Sequence, residues 1–105
     1  MTYTVRLSKT AREDFSRLYE HILERELNRN AGDLELADQA VGTIEGALGM
    51  LQHHPFTCRR AAENPFLREL VVPFGRTGYV VLFDISSSTE VVVVAIRHQL
   101  EDDYH

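Results

Sequence analysis

The last third of this chain holds three strand-type runs with almost nothing between them, and that feature limits the possible folds most. "FLRELVVPF" (66–74), "GYVVLFDI" (78–85) and "EVVVVAI" (90–96) are rich in Val, Phe, Ile and Tyr, and only "GRT" and "SSST" separate them. Such side chains suit a pleated, half-buried surface, and connections this short join antiparallel neighbours, because a parallel return needs a crossover of about a dozen residues. The runs predict an antiparallel meander. Within "VVPF" and "VVVVAI" apolar residues sit at consecutive positions, so both faces of those strands are apolar. Helices can cover one face. The other needs a different cover.

The residues upstream supply the helices. "TYTVRL" (2–7) alternates, with Tyr3, Val5 and Leu7 on one face, and reads as a short half-buried strand. Ser8 is placed to cap a helix in which Ala11, Phe15, Leu18, Tyr19, Ile22 and Leu23 recur at helical spacing, with Arg12, Glu13, Arg17, Glu20 and Glu24 on the other side. "NRNAG" (28–32) breaks that helix. Asp33 can cap a second, carrying Leu36, Ala37, Ala40, Val41, Ile44, Leu48 and Leu51. So short a connection predicts an antiparallel helical hairpin. Gly42, Gly46 and Gly49 within the second helix are expected to allow close packing against the first helix or the sheet. After Pro55 an irregular segment runs to Pro65. The predicted order is strand, helix, helix, strand, strand, strand: a single α+β domain over 1–105, with a helical hairpin on one face of a small, mainly antiparallel sheet.

Composition excludes several classes. With 105 residues, 44% of them apolar and 26% charged, the chain is neither disordered nor collagen-like. No run of about 18 apolar residues offers a membrane span and "MTYTVRLSKT" lacks a secretory apolar core, so a cytoplasmic location is expected. Cys58, the single cysteine, agrees with a reducing compartment. A net charge of −5 argues against gripping nucleic acid through overall positive potential. The one locally positive stretch is 57–80, where Arg59, Arg60, Arg68 and Arg76 face only Glu63 and Glu69. Lys9 is the only lysine against ten arginines, and arginine suits planar contacts with carboxylate or phosphate.

With this order in place the chain resembles the RelE/ParE superfamily of bacterial type II toxin–antitoxin toxins. The opening "YTVRLSKTAREDF", the hairpin end "LGMLQHHP", the central "LRELVVPFGRTGYVVLFDI" and the closing "VVVVAIRHQLEDDYH" carry the resemblance. It implies a toxin held inactive by a cognate antitoxin whose C-terminal segment wraps it. ParE-like members poison DNA gyrase, whereas RelE-like members enter the ribosome and cut messenger RNA. No cofactor is implied.

The two targets ask different things of the residues. Message cleavage needs a base, a transition-state cation and an acid for the leaving oxygen. Arg97 and Tyr104 lie where the resemblance expects a late arginine and a terminal tyrosine; His98 is a further acid or base, and Arg68 and Arg76 are expected to line the same face. The acidic triplet Glu101–Asp103 beside that centre would repel phosphate. A gyrase poison needs only a docking surface, to which Arg59, Arg60, Arg76, Arg97, His98 and Tyr104 are candidate contacts. The second apolar sheet face then calls for an antitoxin segment, an added edge strand or a homodimer as its cover. A binding module active only in antitoxin complexes and operator regulation is a third reading. His53, His54, Cys58 and His98 match no standard zinc spacing, and nothing places a histidine and an orienting carboxylate around Cys58, so neither a metal nor a thiol nucleophile is expected. The reading that results is a ParE-like gyrase inhibitor, with message cleavage as the alternative.

Overall fold

The computed structural model describes residues 2–99. Strand β1 (Thr4–Leu7) leads into helix α1 (Lys9–Leu27) and helix α2 (Glu35–Met50). A single 3₁₀ turn (Pro55–Thr57), a two-residue strand β2 (Arg59–Arg60), and strands β3 (Leu67–Phe74), β4 (Thr77–Ile85) and β5 (Glu90–His98) follow. The sheet order is β1-β5-β4-β3-β2, parallel between β1 and β5 and antiparallel elsewhere. The expected α+β hairpin-on-sheet architecture is present, with one strand more than the four expected. That strand, β2, is too short for any periodic signal.

The helix starts follow from their caps. Ser8 is extended, and its hydroxyl accepts from the Ala11 N–H at 3.1 Å, a cap worth about 1 kcal/mol. The same hydroxyl donates to the Val94 carbonyl at 3.3 Å, and the Ser8 N–H donates to Val93 at 2.9 Å. The corner between β1 and α1 is thereby tied to β5. Asp33 accepts from the Glu35 N–H at 2.9 Å and so opens α2.

Between the helices, Glu26 is buried and its carboxylate accepts from the Asp33 N–H at 3.1 Å, from Arg29 at 3.0 Å and from Arg25 at 3.2 Å. The Asp33 N–H, with the two arginines, holds its carboxyl below the usual range against the opposing effect of burial. The stability these bonds add is therefore present above the unfolded-state pKa and is lost as pH falls through the lower folded one.

The core lies between the hairpin and one face of the sheet. Ala11 and Ile22 of α1 and Ala37, Ala40, Ile44 and Leu48 of α2 meet Val72, Tyr79, Val81, Phe83, Ile85, Val91, Val93 and Ile96. Each fully buried large side chain, Phe83 or Ile44 for example, contributes about 1.5–3 kcal/mol. Leu82 pairs with Ala95 but Phe83 with Val93, so Val94 forms a bulge in β5. The bulge changes which residues face the helices. Val91 and Val93 do so before it, and Ile96 and His98 after it.

The glycines of α2 do not serve close packing. A Cβ at Gly42, Gly46 or Gly49 would meet nothing within 4 Å, and Gly42 and Gly46 are exposed. Gly46→Ala is therefore expected to stabilise the fold by about 1 kcal/mol, by restricting the unfolded chain without a clash. Thermal unfolding followed by circular dichroism should show the midpoint rise by about 4 °C or more.

Candidate functional site

The sheet divides the candidate residues between its two ends. At one end the Gly75–Arg76 turn lies beside the end of β5, where Val80 pairs with Arg97 and Tyr79 with His98. At the other, Arg59 pairs with Glu69 and Arg60 with Arg68. Phe74 lies five residues beyond Glu69 along β3, which is roughly 17 Å of extended strand. Arg76, Arg97 and His98 therefore form one group and Arg59, Arg60 and Arg68 another. Tyr104 and the acidic triplet 101–103 lie outside the described residues.

The first end holds a cleft of about 390 Å³ between α1 and the sheet, lined by Asp14, Arg17, Leu18, His21, Ile22, Arg25, Tyr79, Ile96 and His98. Helical spacing aligns its α1 members, since 14, 17, 21 and 25 fall three or four residues apart along one stripe. Asp14 orders the site. Its carboxylate accepts from the Ile96 N–H at 2.9 Å and from Arg17 at 2.6 Å. The Thr77 hydroxyl and the His98 Nε2 are 3.0 Å apart, and the His98 ring meets Tyr79 edge-on at 5.6 Å. Burial pushes the Tyr79 phenol up, with the Arg25 charge opposing it. The result is an apolar floor of Leu18, Ile22, Tyr79 and Ile96 under a rim of arginine and histidine, which suits an acidic, partly apolar ligand. Sequence reading missed Asp14, Arg17, His21 and Arg25 as site residues. Their shared stripe beside the apolar face of α1 was the available signal.

At the second end Arg68 is held in place. Its Nε donates to the Pro65 carbonyl at 2.6 Å, and its Nη1 donates to Cys58 at 2.8 Å and Phe56 at 3.3 Å. Arg59 pairs with Glu69 at 2.5 Å. Cys58 is buried in the core; desolvation pushes its thiol up against the pull of Arg68, the setting of an inert cysteine.

The expectation that Arg68 and Arg97 line one face is corrected by the register. Arg68 opposes Phe83, which faces the helices, whereas Arg97 opposes Val80 on the open face, because side chains alternate along β4. His98, one residue after Arg97, falls on the helix side. The open face itself mixes Val71, Val80, Leu82, Val92 and Ala95 with Arg6, Glu69, Asp84, Glu90 and Arg97. His53 and His54 are exposed just after α2, far along the chain from the cleft, and among the described residues no three His, Cys, Asp or Glu side chains are grouped to hold a metal. None of the described helices is long and apolar enough to cross a membrane.

Comparison with known proteins gives this geometry its family. Residues 5–103 match the family described as ParE toxin of type II toxin-antitoxin system, parDE. Toxin RelE1 of Caulobacter vibrioides is 35% identical over 101 residues, 96% of this chain and 98% of that protein. Toxin RelE3 of the same organism is 34% identical over 98 residues, 93% and 96% of the two chains. A chain of the solved structure "Chromosomal ParDE TA system from P. aeruginosa" shares the fold with a TM-score of 0.70 at 21% identity, covering 92% of this chain and 96% of that one. The family match spans the sheet and hairpin almost end to end, and the chain therefore belongs to the ParE toxin family of type II toxin–antitoxin systems.

Proposed function

We propose that this toxin acts in the cytoplasm by binding and inhibiting DNA gyrase, and that a cognate antitoxin neutralises it. The observation that carries this reading is the separation of the nuclease candidates. Base, cation and acid must lie within hydrogen-bond reach of one phosphodiester, about 3 Å from the atoms they serve. Arg97 is on the open face, His98 is on the helix side, and the Arg68 guanidinium is bound to three carbonyls. A docking surface has no such requirement. Arg60, Arg76 and Arg97 are exposed and offer cationic contacts to an acidic protein surface. The cleft between α1 and the sheet and the apolar part of the open face suit cover by an antitoxin segment, in a toxin–antitoxin hetero-oligomer rather than a toxin homodimer.

Message cleavage on the ribosome is the second reading, favoured by the name RelE that both Caulobacter relatives carry. Two assays on the purified chain separate them. Inhibition of gyrase supercoiling, with ribosome-bound messages left intact, is the expected result. Cut messages with unimpaired supercoiling would replace gyrase inhibition with the second reading.

A further inference from the structure

We infer that Phe56 and Phe66, with Arg60 beside them, form a preorganised aromatic anchor that inserts into an acidic-rimmed apolar pocket on the toxin's protein target. This rests on the reading of the toxin as a protein-binding inhibitor.

The two rings come from positions ten residues apart and meet at the surface. Phe56 is 47% exposed and Phe66 50%, their centroids are 6.2 Å apart, and their planes stand at 72°. Such an edge-to-face pair is a favoured aromatic arrangement. Neither ring belongs to the core or to the layer packed on it. Each ring leaves about half of its surface to solvent.

The backbone beneath them is fixed before any partner arrives. Arg68 reaches three carbonyls, including that of Phe56 itself, and its guanidinium carbon stands 5.4 Å from the centre of the Phe56 ring. On the Phe66 side, Asn64 accepts from the Phe66 N–H at 2.9 Å, and the Phe66 carbonyl accepts from Ile85 at 2.8 Å. Arg68 is thus a positioning residue that joins the 3₁₀ turn to the start of β3. Holding exposed aromatics in one geometry lowers the conformational cost of binding, and aromatic anchors of this kind concentrate binding energy.

Charge selects the partner. The chain carries −5 overall, yet residues 56–69 hold Arg59, Arg60 and Arg68 against Glu63 and Glu69. Glu69 is engaged by Arg59, the Arg68 charge rests on neutral carbonyls, and Arg60 is exposed on edge strand β2 with no ion pair among the described residues. Arg60 lies directly across from Arg68, on the side where the rings stand. An apolar pocket rimmed by carboxylates complements this surface. A second copy of the chain fits less well, because pairing patch to patch would bring the same arginine-bearing surface, and not a carboxylate rim, to Arg60. The cleft lies at the opposite end of the sheet, so an antitoxin seated there would leave the anchor uncovered.

The test compares wild type with Phe56→Ser/Phe66→Ser and, separately, Arg60→Glu, after circular dichroism and a cooperative melt confirm that each is folded. In the supercoiling assay the double variant should need about 30-fold more protein for half-inhibition, as loss of a hot-spot anchor implies. Arg60→Glu, which alters no core residue, should need several-fold more. Equal potency of all three proteins would overturn the inference while leaving gyrase as the target. Should wild type fail to inhibit gyrase, the gyrase reading falls and growth arrest on expression becomes the readout: arrest lost in both variants keeps the anchor for another protein target, and arrest retained overturns it. Sedimentation that finds a wild-type dimer and monomeric variants, or single-stranded RNA binding lost in the variants, would also overturn it, by assigning the patch to self-association or to stacking on bases.

Discussion

Gly32→Ala is expected to cost about 3 kcal/mol of folding stability, at the upper end of overpacking penalties. A Cβ added at Gly32 would stand only 1.9 Å from the Glu26 carbonyl oxygen and 2.8 Å from its carbon. Both obstacles are backbone, so no side-chain rotation relieves the clash. The last turn of α1 must shift, and that turn carries Glu26, whose carboxylate joins Arg25, Arg29 and the Asp33 N–H. The hairpin connection should loosen as a unit. Chemical denaturation checks this, and a change within about 0.5 kcal/mol would mean that the connection is not held as described.

Asp14→Ala should cost about 2–3 kcal/mol, for a different reason. It removes no bulk that matters to the core but leaves the Ile96 N–H without its 2.9 Å acceptor in a buried setting, and an unsatisfied buried donor carries its full desolvation cost. Past the end of β1 the edge of β5 relies on α1 for partners, through Ser8 at Val94 and Asp14 at Ile96. Asp14→Asn should lose less, because the amide oxygen still accepts. Hydrogen exchange at Ile96 gives a local readout: much faster in the alanine variant, close to wild type in the asparagine variant. Equal protection in all three proteins would show that the carboxylate is not the partner.

Most of the architecture was legible because its signals are local and periodic. Ser8 caps α1, Tyr3, Val5 and Leu7 share a face, and the three closing runs form the meander. What escaped was non-local. The run Val91–Val94 reads identically in either register, so the bulge at Val94, which decides that His98 rather than Arg97 faces the helices, has no sequence signature. The parallel pairing of β1 with β5 joins the two ends of the chain and depends on the tertiary fold. Glycines in a helix suggested close packing, yet Gly42 and Gly46 face open space, and the structure gives no reason for them. Among the site residues, Arg68 looked available for chemistry because sequence cannot reveal three carbonyls converging on one guanidinium. The cleft residues of α1 escaped because Asp14, Arg17, His21 and Arg25 resemble any solvated helix face until Tyr79 and His98 are placed opposite them.

The proposal that this toxin stops growth by docking to gyrase is checked by inducing the chain without its antitoxin in a bacterial host. DNA and protein synthesis are then pulse-labelled in parallel within minutes. Gyrase docking should give an early fall in DNA synthesis with induction of the DNA-damage response while translation continues. An early fall in translation with cleaved messages and continuing DNA synthesis would contradict it.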